Sequence, residues 1–186
     1  MNIKRWSLLP LILLAGCILT GCILTGCILT GCNGNTPAER NDLVPRAAHK
    51  VPTGLIIQDM AGRPHDLDSI LGQGQSIALV FWQTWCKPCL REMPELARVD
   101  RQYSPRIRFY GIVSGTDEDV DDARVKSLVE RLGVGYPQVR DRDLRLSRGF
   151  KIDGTPTIVI LGPGRSVLYR GHQLPDNWAV FTKRNG

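Results

Sequence analysis

One stretch constrains the fold more than any other. Ile77-Ala78-Leu79-Val80-Phe81-Trp82 runs apolar without a break, Trp85-Cys86-Lys87-Pro88-Cys89 follows, and a helical pattern begins beside the cysteines. An apolar run of this length suits a central strand covered on both faces. The cysteines therefore sit at a strand-to-helix junction, where a Cys-x-x-Cys pair reads as a redox dithiol rather than a fastener. Unpaired N–H groups and the positive dipole end of the helix favour thiolate over thiol. In such motifs the first cysteine's pKa falls from about 8.5 to roughly 3.5–7.5. The second, one turn on, is placed to resolve a mixed disulfide. Pro88 fits the first helical turn, where its missing N–H costs nothing.

The remaining cysteines support that reading. Of six in the chain, Cys17, Cys22, Cys27 and Cys32 lie near the N-terminus, leaving only Cys86 and Cys89 in the body. No third body thiol is available for a structural bridge. A zinc site would need about two more ligands, and His49, His65 and His172 are scattered without ligand spacing. No metal and no cofactor is expected.

The N-terminus reads as an export signal. Lys4 and Arg5 form a basic start, and Leu8 to Leu14 an apolar core. Leu14-Ala15-Gly16-Cys17 and three copies of Ile-Leu-Thr-Gly-Cys, ending at Cys22, Cys27 and Cys32, each resemble a bacterial lipobox. Core length favours cleavage at Cys17 or Cys22. Cleavage at Cys32 instead leaves a polar tether and no spare thiols in an oxidising compartment, and it is preferred on that ground. An uncleaved anchor from Leu8 to Thr30 is the alternative, since about 20 apolar residues span a bilayer. Either way, the domain that follows is expected outside the cytoplasm at a membrane.

Residues 1–32 are thus assigned to the signal and repeats, 33–50 to a linker, and 51–186 to one globular domain. The linker's reach is roughly 20–25 Å. The net charge of +6 includes Lys4 and Arg5, and Arg140-Asp141-Arg142-Asp143 alternates in sign. That is a solvated surface without a nucleic-acid signature. The domain should open with a hairpin, Leu55–Asp59 against Pro64–Leu67 around Ala61-Gly62. After the strand Ser76–Trp82 and the cysteine helix, kinked at Pro94, come a strand Ile107–Val113 and a helix Asp119–Leu132 closed by Gly133. A short helix Asp143–Phe150 precedes a hairpin, Thr157–Leu161 and Ser166–Arg170, and a helix over Pro175–Arg184 ends the chain. The fold class is α/β, a mixed sheet flanked by helices.

These residues together resemble the thioredoxin superfamily, in its TlpA/ResA-like branch of membrane-tethered thiol–disulfide proteins. The resemblance is carried by Phe81 to Cys89, Glu92-Met93-Pro94, Gly133 to Pro137 leading into Asp141, and Phe150 to Thr157 with the closing hairpin. It implies a thioredoxin-like fold with an N-terminal hairpin extension. It makes Cys86 the attacking thiol, Cys89 the resolving thiol and Pro156 a cis-proline packed against them. A cis-proline there would leave the Thr155 main chain free to pair with a substrate strand. The branch also implies an integral-membrane thiol reductase as electron donor, and substrates such as apocytochrome c or copper-site cysteines. A monomer is the default.

Glu92 stands three residues after Cys89 on one helix face. In the branch, an acid there tunes the cysteines and handles protons, and as a carboxylate it would raise thiol pKa values. Val80 departs from thioredoxin, which carries a buried aspartate at that position, and the departure gives Glu92 more weight. Lys87 is either a cation that lowers the Cys86 pKa or a solvated lysine. Trp82 and Trp85 are expected chiefly to pack around the site, with Trp85, Lys87, Pro88 and Thr155 forming its substrate-facing rim. His65 and His172 are expected at the surface. Two classes remain open: an oxidoreductase, reducing or oxidising, and a Cu(I) carrier using the same cysteines. A peroxidase is disfavoured, because Gln83 stands where peroxiredoxin-type sites place a threonine.

Overall fold

The computed structural model describes residues Val51 to Lys183. The chain enters through a two-stranded antiparallel hairpin, β1 (Ile56–Gln58) against β2 (Pro64–Asp66), with Ile57 opposite His65. Asp66 then caps a short helix, α1 (Leu67–Gly72), accepting from the N–H groups of Asp68 and Ser69. Leu67, expected in the second strand, instead opens this helix, which no local pattern signals. Leu67 and Leu71, one turn apart, are both buried beneath it, and six residues are too few for a visible helical period.

β3 (Ser76–Trp82) is buried at every position, as its unbroken apolar run requires. Its side chains alternate between two cores. Ala78, Val80 and Trp82 face one, with Met93, Leu96, Val125, Leu128 and Trp178. Ile77, Leu79 and Phe81 face the other, with Ile57, Leu67, Leu71, Leu146 and Phe150. From β3 the chain passes through α2 (Lys87–Tyr103) to β4 (Ile107–Ser114), which pairs parallel with β3. The helix continues through Pro94, which lies on its exposed side.

α3 (Asp122–Arg131) starts later than expected, because the Asp121 side chain accepts from the Ala123 N–H and sets the first turn there. Gly133, at φ +65°, closes it in a conformation that favours glycine. β5 (Gln138–Asp141), a strand that no apolar pattern predicts, pairs parallel with β4. α4 (Arg145–Gly149) is followed by β6 (Thr157–Leu161) and β7 (Val167–Gly171), a hairpin joined across the turn Pro163–Arg165. The expected terminal helix is one tight 3-10 turn, Trp178–Thr182, whose Trp178 ring packs 5.3 Å from Phe109.

The main sheet has five strands in the order β5-β4-β3-β6-β7, with β6 antiparallel to β3. The fold class is therefore the expected one, a mixed sheet between helices with a hairpin in front. Among the described residues no helix is long and apolar enough to cross a membrane. Cys17, Cys22, Cys27 and Cys32, the linker 33–50 and His49 lie outside the described residues.

Candidate active site

β3 is the central strand, and its C-terminal end hands the chain directly to α2. Cys86 is the N-cap of that helix, and its Sγ accepts from the Cys89 N–H at 3.3 Å. The loop before it is closed by the Cys86 N–H donating to the Gln83 carbonyl at 3.1 Å. Cys86 and Cys89 form a disulfide with an S–S distance of 2.01 Å and Cα atoms 5.3 Å apart. Both are buried, at 3% and 1% exposure, yet their neighbours Lys87 and Pro88 are exposed and Trp85 is 68% exposed. Trp82 packs in the core, whereas Trp85 does not. It stands in solvent beside the sulfur pair.

Glu92 lies one turn beyond Cys89 and is half-buried. Burial raises its carboxyl pKa, opposed by the charge of Arg91. Its Oε2 is buried with no hydrogen-bond partner among the described residues. Val80, the position where thioredoxin carries an acid, is a buried valine in the same cluster as the two cysteines.

The loop before β6 lies at the same end of the sheet. Thr157 is level with Phe81 in the β3–β6 register, which brings Pro156 to the end of β3 from which the cysteine loop departs. The Thr155–Pro156 peptide is cis. Pro156 is buried and Thr155 half-buried, and no hydrogen bond among the described residues engages the Thr155 main chain. The structure thus bonds Cys86 to Cys89, places Glu92 one turn from them, and brings the Thr155-Pro156 loop to the same end of the sheet.

Several further residues support the site through contacts that the sequence does not signal. Trp82 Nε1 donates to Gln138 Oε1 at 3.0 Å, and Gln138 Nε2 donates to the Tyr136 carbonyl at 3.0 Å. A Cβ on Gly111 would stand 2.0 Å from Gln138 Oε1, so glycine is what lets that amide lie across β4. Gln83 Nε2 donates to the Ser114 carbonyl, tying the cysteine loop to β4. Of the two histidines expected at the surface, His172 is exposed and His65 is not. His65 is half-buried between Asp59, 3.0 Å from Nε2, and the Tyr110 hydroxyl, 3.3 Å from Nδ1. His172 contacts Pro156 and Thr157. The contacts of Trp82 with Gln138, Gln83 with Ser114, His65 with Tyr110 and His172 with Pro156 join residues 16 to 56 positions apart, and the only local signal is a polar residue next to an apolar run.

A disulfide at the head of a helix, reached from the middle strand of a mixed sheet with a cis-proline loop at the same end of that sheet, defines a thioredoxin-fold protein. The chain belongs to the AhpC/TSA family, which it matches over residues 47–174. It is 27% identical over 138 residues to the thiol-disulfide oxidoreductase ResA of Bacillus thuringiensis, covering 73% of this chain and 76% of that one. The ResA of Geobacillus thermodenitrificans is 30% identical over 108 residues, 58% of this chain and 59% of its own. Solved structures with the same fold include StoA from Bacillus subtilis (TM-score 0.56, 20% identity, 66% of this chain and 90% of that one). Another is a secreted Mycobacterium tuberculosis disulfide oxidoreductase, with a TM-score of 0.56 and 21% identity over 65% of this chain and 84% of that one.

Proposed function

We propose that this protein is a thiol–disulfide oxidoreductase acting on protein disulfides, with Cys86 as the attacking thiol and Cys89 as the resolving thiol. The observation that carries the reading is the Cys86–Cys89 bond at the head of α2, with Cys86 itself capping the helix. Its relatives named thiol-disulfide oxidoreductase ResA support it.

In the reduced protein, the helix terminus favours the Cys86 thiolate. That thiolate attacks one sulfur of a substrate disulfide. The substrate S–S bond breaks, a mixed disulfide forms, and the departing sulfur takes a proton. Cys89, deprotonated, then attacks Cys86 Sγ. The second substrate sulfur leaves as thiolate, and the Cys86–Cys89 disulfide remains. Two electrons have passed to the substrate, so a dithiol donor must restore the pair. Glu92, whose proton is held more tightly because of burial, is placed to exchange protons with these sulfurs. Exposed Trp85, Lys87 and Pro88 form one lip of the docking surface, and the unengaged Thr155 main chain offers edge pairing to an extended substrate from the other.

The cellular setting belongs to the same proposal. The domain works outside the cytoplasm, tethered through a lipid on Cys32, or on Cys17, Cys22 or Cys27. It draws electrons from an integral-membrane thiol reductase and reduces cysteines such as those of apocytochrome c or copper sites. The export-like N-terminus supports this, as does the likeness to ResA.

The reduction potential of Cys86/Cys89, measured in glutathione or dithiothreitol buffers, tests the direction. A value near that of thioredoxin, about −270 mV, is expected for a reductant, and one near about −120 mV would make the protein a disulfide donor instead. Activity is tested by insulin reduction. Cys86→Ser should abolish it, and Cys89→Ser should accumulate a mixed disulfide. Equal activity of Cys86→Ser and the unmodified protein would overturn the reading, and stoichiometric copper on an inactive reduced protein would favour the carrier.

A further inference from the structure

β7 is an edge strand of the sheet, and two side chains at its end turn onto the loop before β6. The Arg170 guanidinium donates to the carbonyls of Phe150 and Lys151, the latter at 2.7 Å. Two residues later, His172 Nδ1 lies 2.8 Å from the Pro156 carbonyl and 3.1 Å from Thr157 Oγ1. A carbonyl oxygen only accepts, so Nδ1 carries the hydrogen. The Thr157 hydroxyl gives its own hydrogen to the Gly154 carbonyl at 2.6 Å, so it too accepts from the imidazole. The ring also covers Gly154, where a Cβ would stand 3.9 Å from Cε1. One N–H at the end of the edge strand thus anchors Pro156 and Thr157 directly, and Gly154 through the Thr157 hydroxyl.

The other ring nitrogen, Nε2, faces outward 3.9 Å from Asp153 Oδ1, on a side chain that is 60% exposed. Nδ1 keeps its hydrogen in both the neutral and the charged imidazole. The anchor therefore persists whatever happens at Nε2. None of the hydrogen bonds of His172 reaches either cysteine.

We propose that His172 is a positioning residue for substrate docking, holding Gly154–Thr157 so that the Thr155 main chain is presented to a disulfide-bearing polypeptide. This rests on the oxidoreductase reading above. A docking segment that is ordered in advance spares an incoming chain the entropy of ordering it. Loss of the anchor should weaken capture of an extended protein substrate and leave the sulfur chemistry alone.

The test compares three replacements by insulin reduction, by reaction with the small disulfide dithiobis(nitrobenzoate), and by reduction potential. His172→Ala and His172→Gln lack a donor at the Nδ1 position. They should raise KM for insulin by about threefold to tenfold, the worth of one hydrogen bond. Their kcat, potential and small-disulfide rate should stay unchanged. His172→Asn puts an amide N–H where Nδ1 stands and should restore KM. In the unmodified protein, nitrogen NMR of the neutral imidazole should find the hydrogen on Nδ1. An unchanged KM in His172→Ala, an equal fall in the small-disulfide rate, failure of His172→Asn to rescue, or a hydrogen on Nε2 alone would each overturn the proposal. The NMR result stands even where a variant fails to fold. If the unmodified protein itself leaves insulin intact, the oxidoreductase reading fails and this inference falls with it.

Discussion

At neutral pH the Glu92 charge weighs against both the folded state and the neighbouring thiolate. Burial raises its pKa, with Arg91 pulling the other way. A carboxyl raised on folding contributes stability only below its unfolded pKa, and that contribution is lost as pH rises through the folded value. At neutral pH the buried charge is therefore a cost, and it also disfavours a thiolate one turn away. Glu92→Gln keeps the shape and removes the charge. The variant should melt higher than the unmodified protein at neutral pH, with the gap closing in acid. Its Cys86 thiol should titrate lower. Its reduction potential should rise by about 15–30 mV, because stabilising the reduced form makes a pair more oxidising. Thiolate absorbance against pH and equilibration with glutathione measure both, and an unmoved potential would sever Glu92 from the cysteines. This residue was legible in the sequence because three positions on a helix is a local relation. His172 was not, since its partner Pro156 lies across a strand pair.

Elements in this fold start where a side chain captures their first N–H groups and hold position where neighbours fit. Asp66 starts α1 by accepting from Asp68 and Ser69. Asp66→Ala should cost about 1 kcal/mol, read by chemical denaturation. The β4–β5 contact depends instead on the space that Gly111 leaves for Gln138. Gly111→Ala forces that amide aside and should destabilise by about 1–3 kcal/mol. In a Gln138→Ala background the same change should cost much less, and full additivity in that double-mutant cycle would show the contact to be irrelevant. β3 and α2 were legible because seven buried positions in a row and a helical rhythm of apolar residues are local patterns. β5 was not. Its Gln138, Arg140 and Asp141 are polar, and it is a strand because β4 offers a parallel edge to pair with.

At the scale of the whole molecule, the front hairpin is tied to the sheet through Asp59. This residue bridges to Val139, and the Met60 N–H donates to the Gln138 carbonyl at 2.7 Å. The Asp59 carboxylate accepts from the Arg63 and Ala61 N–H groups, the Arg63 side chain and His65. Burial alone would raise its pKa, but these hydrogen bonds outweigh burial and hold it at about 2. A folded pKa below the unfolded one contributes stability above the unfolded value, lost as pH falls through the folded value. The contribution of Asp59 should therefore fade between its ordinary 3.8 and about 2. Asp59→Ala leaves the donors of Arg63, Ala61 and His65 unmatched and should cost about 1–3 kcal/mol at neutral pH. The gap from the unmodified protein should shrink through that acid window in denaturant melts at successive pH values. A constant gap would mean that the charge of Asp59 is not what holds the hairpin.

The sequence by itself determined the central strand, the cysteine pair at its exit, the helix that follows and the closing hairpin. Each is written in spacings of a few residues, which a strand or helix turns into a face or a cap. Tertiary structure alone decided the strand order, the existence of β5 and the burial of Gln138 over Gly111. It also decided the exposure of Trp85 and the grip of His172 on the loop before β6. These depend on segments tens of residues apart being brought into register, and register follows from how both faces of the sheet are covered, which no local pattern encodes.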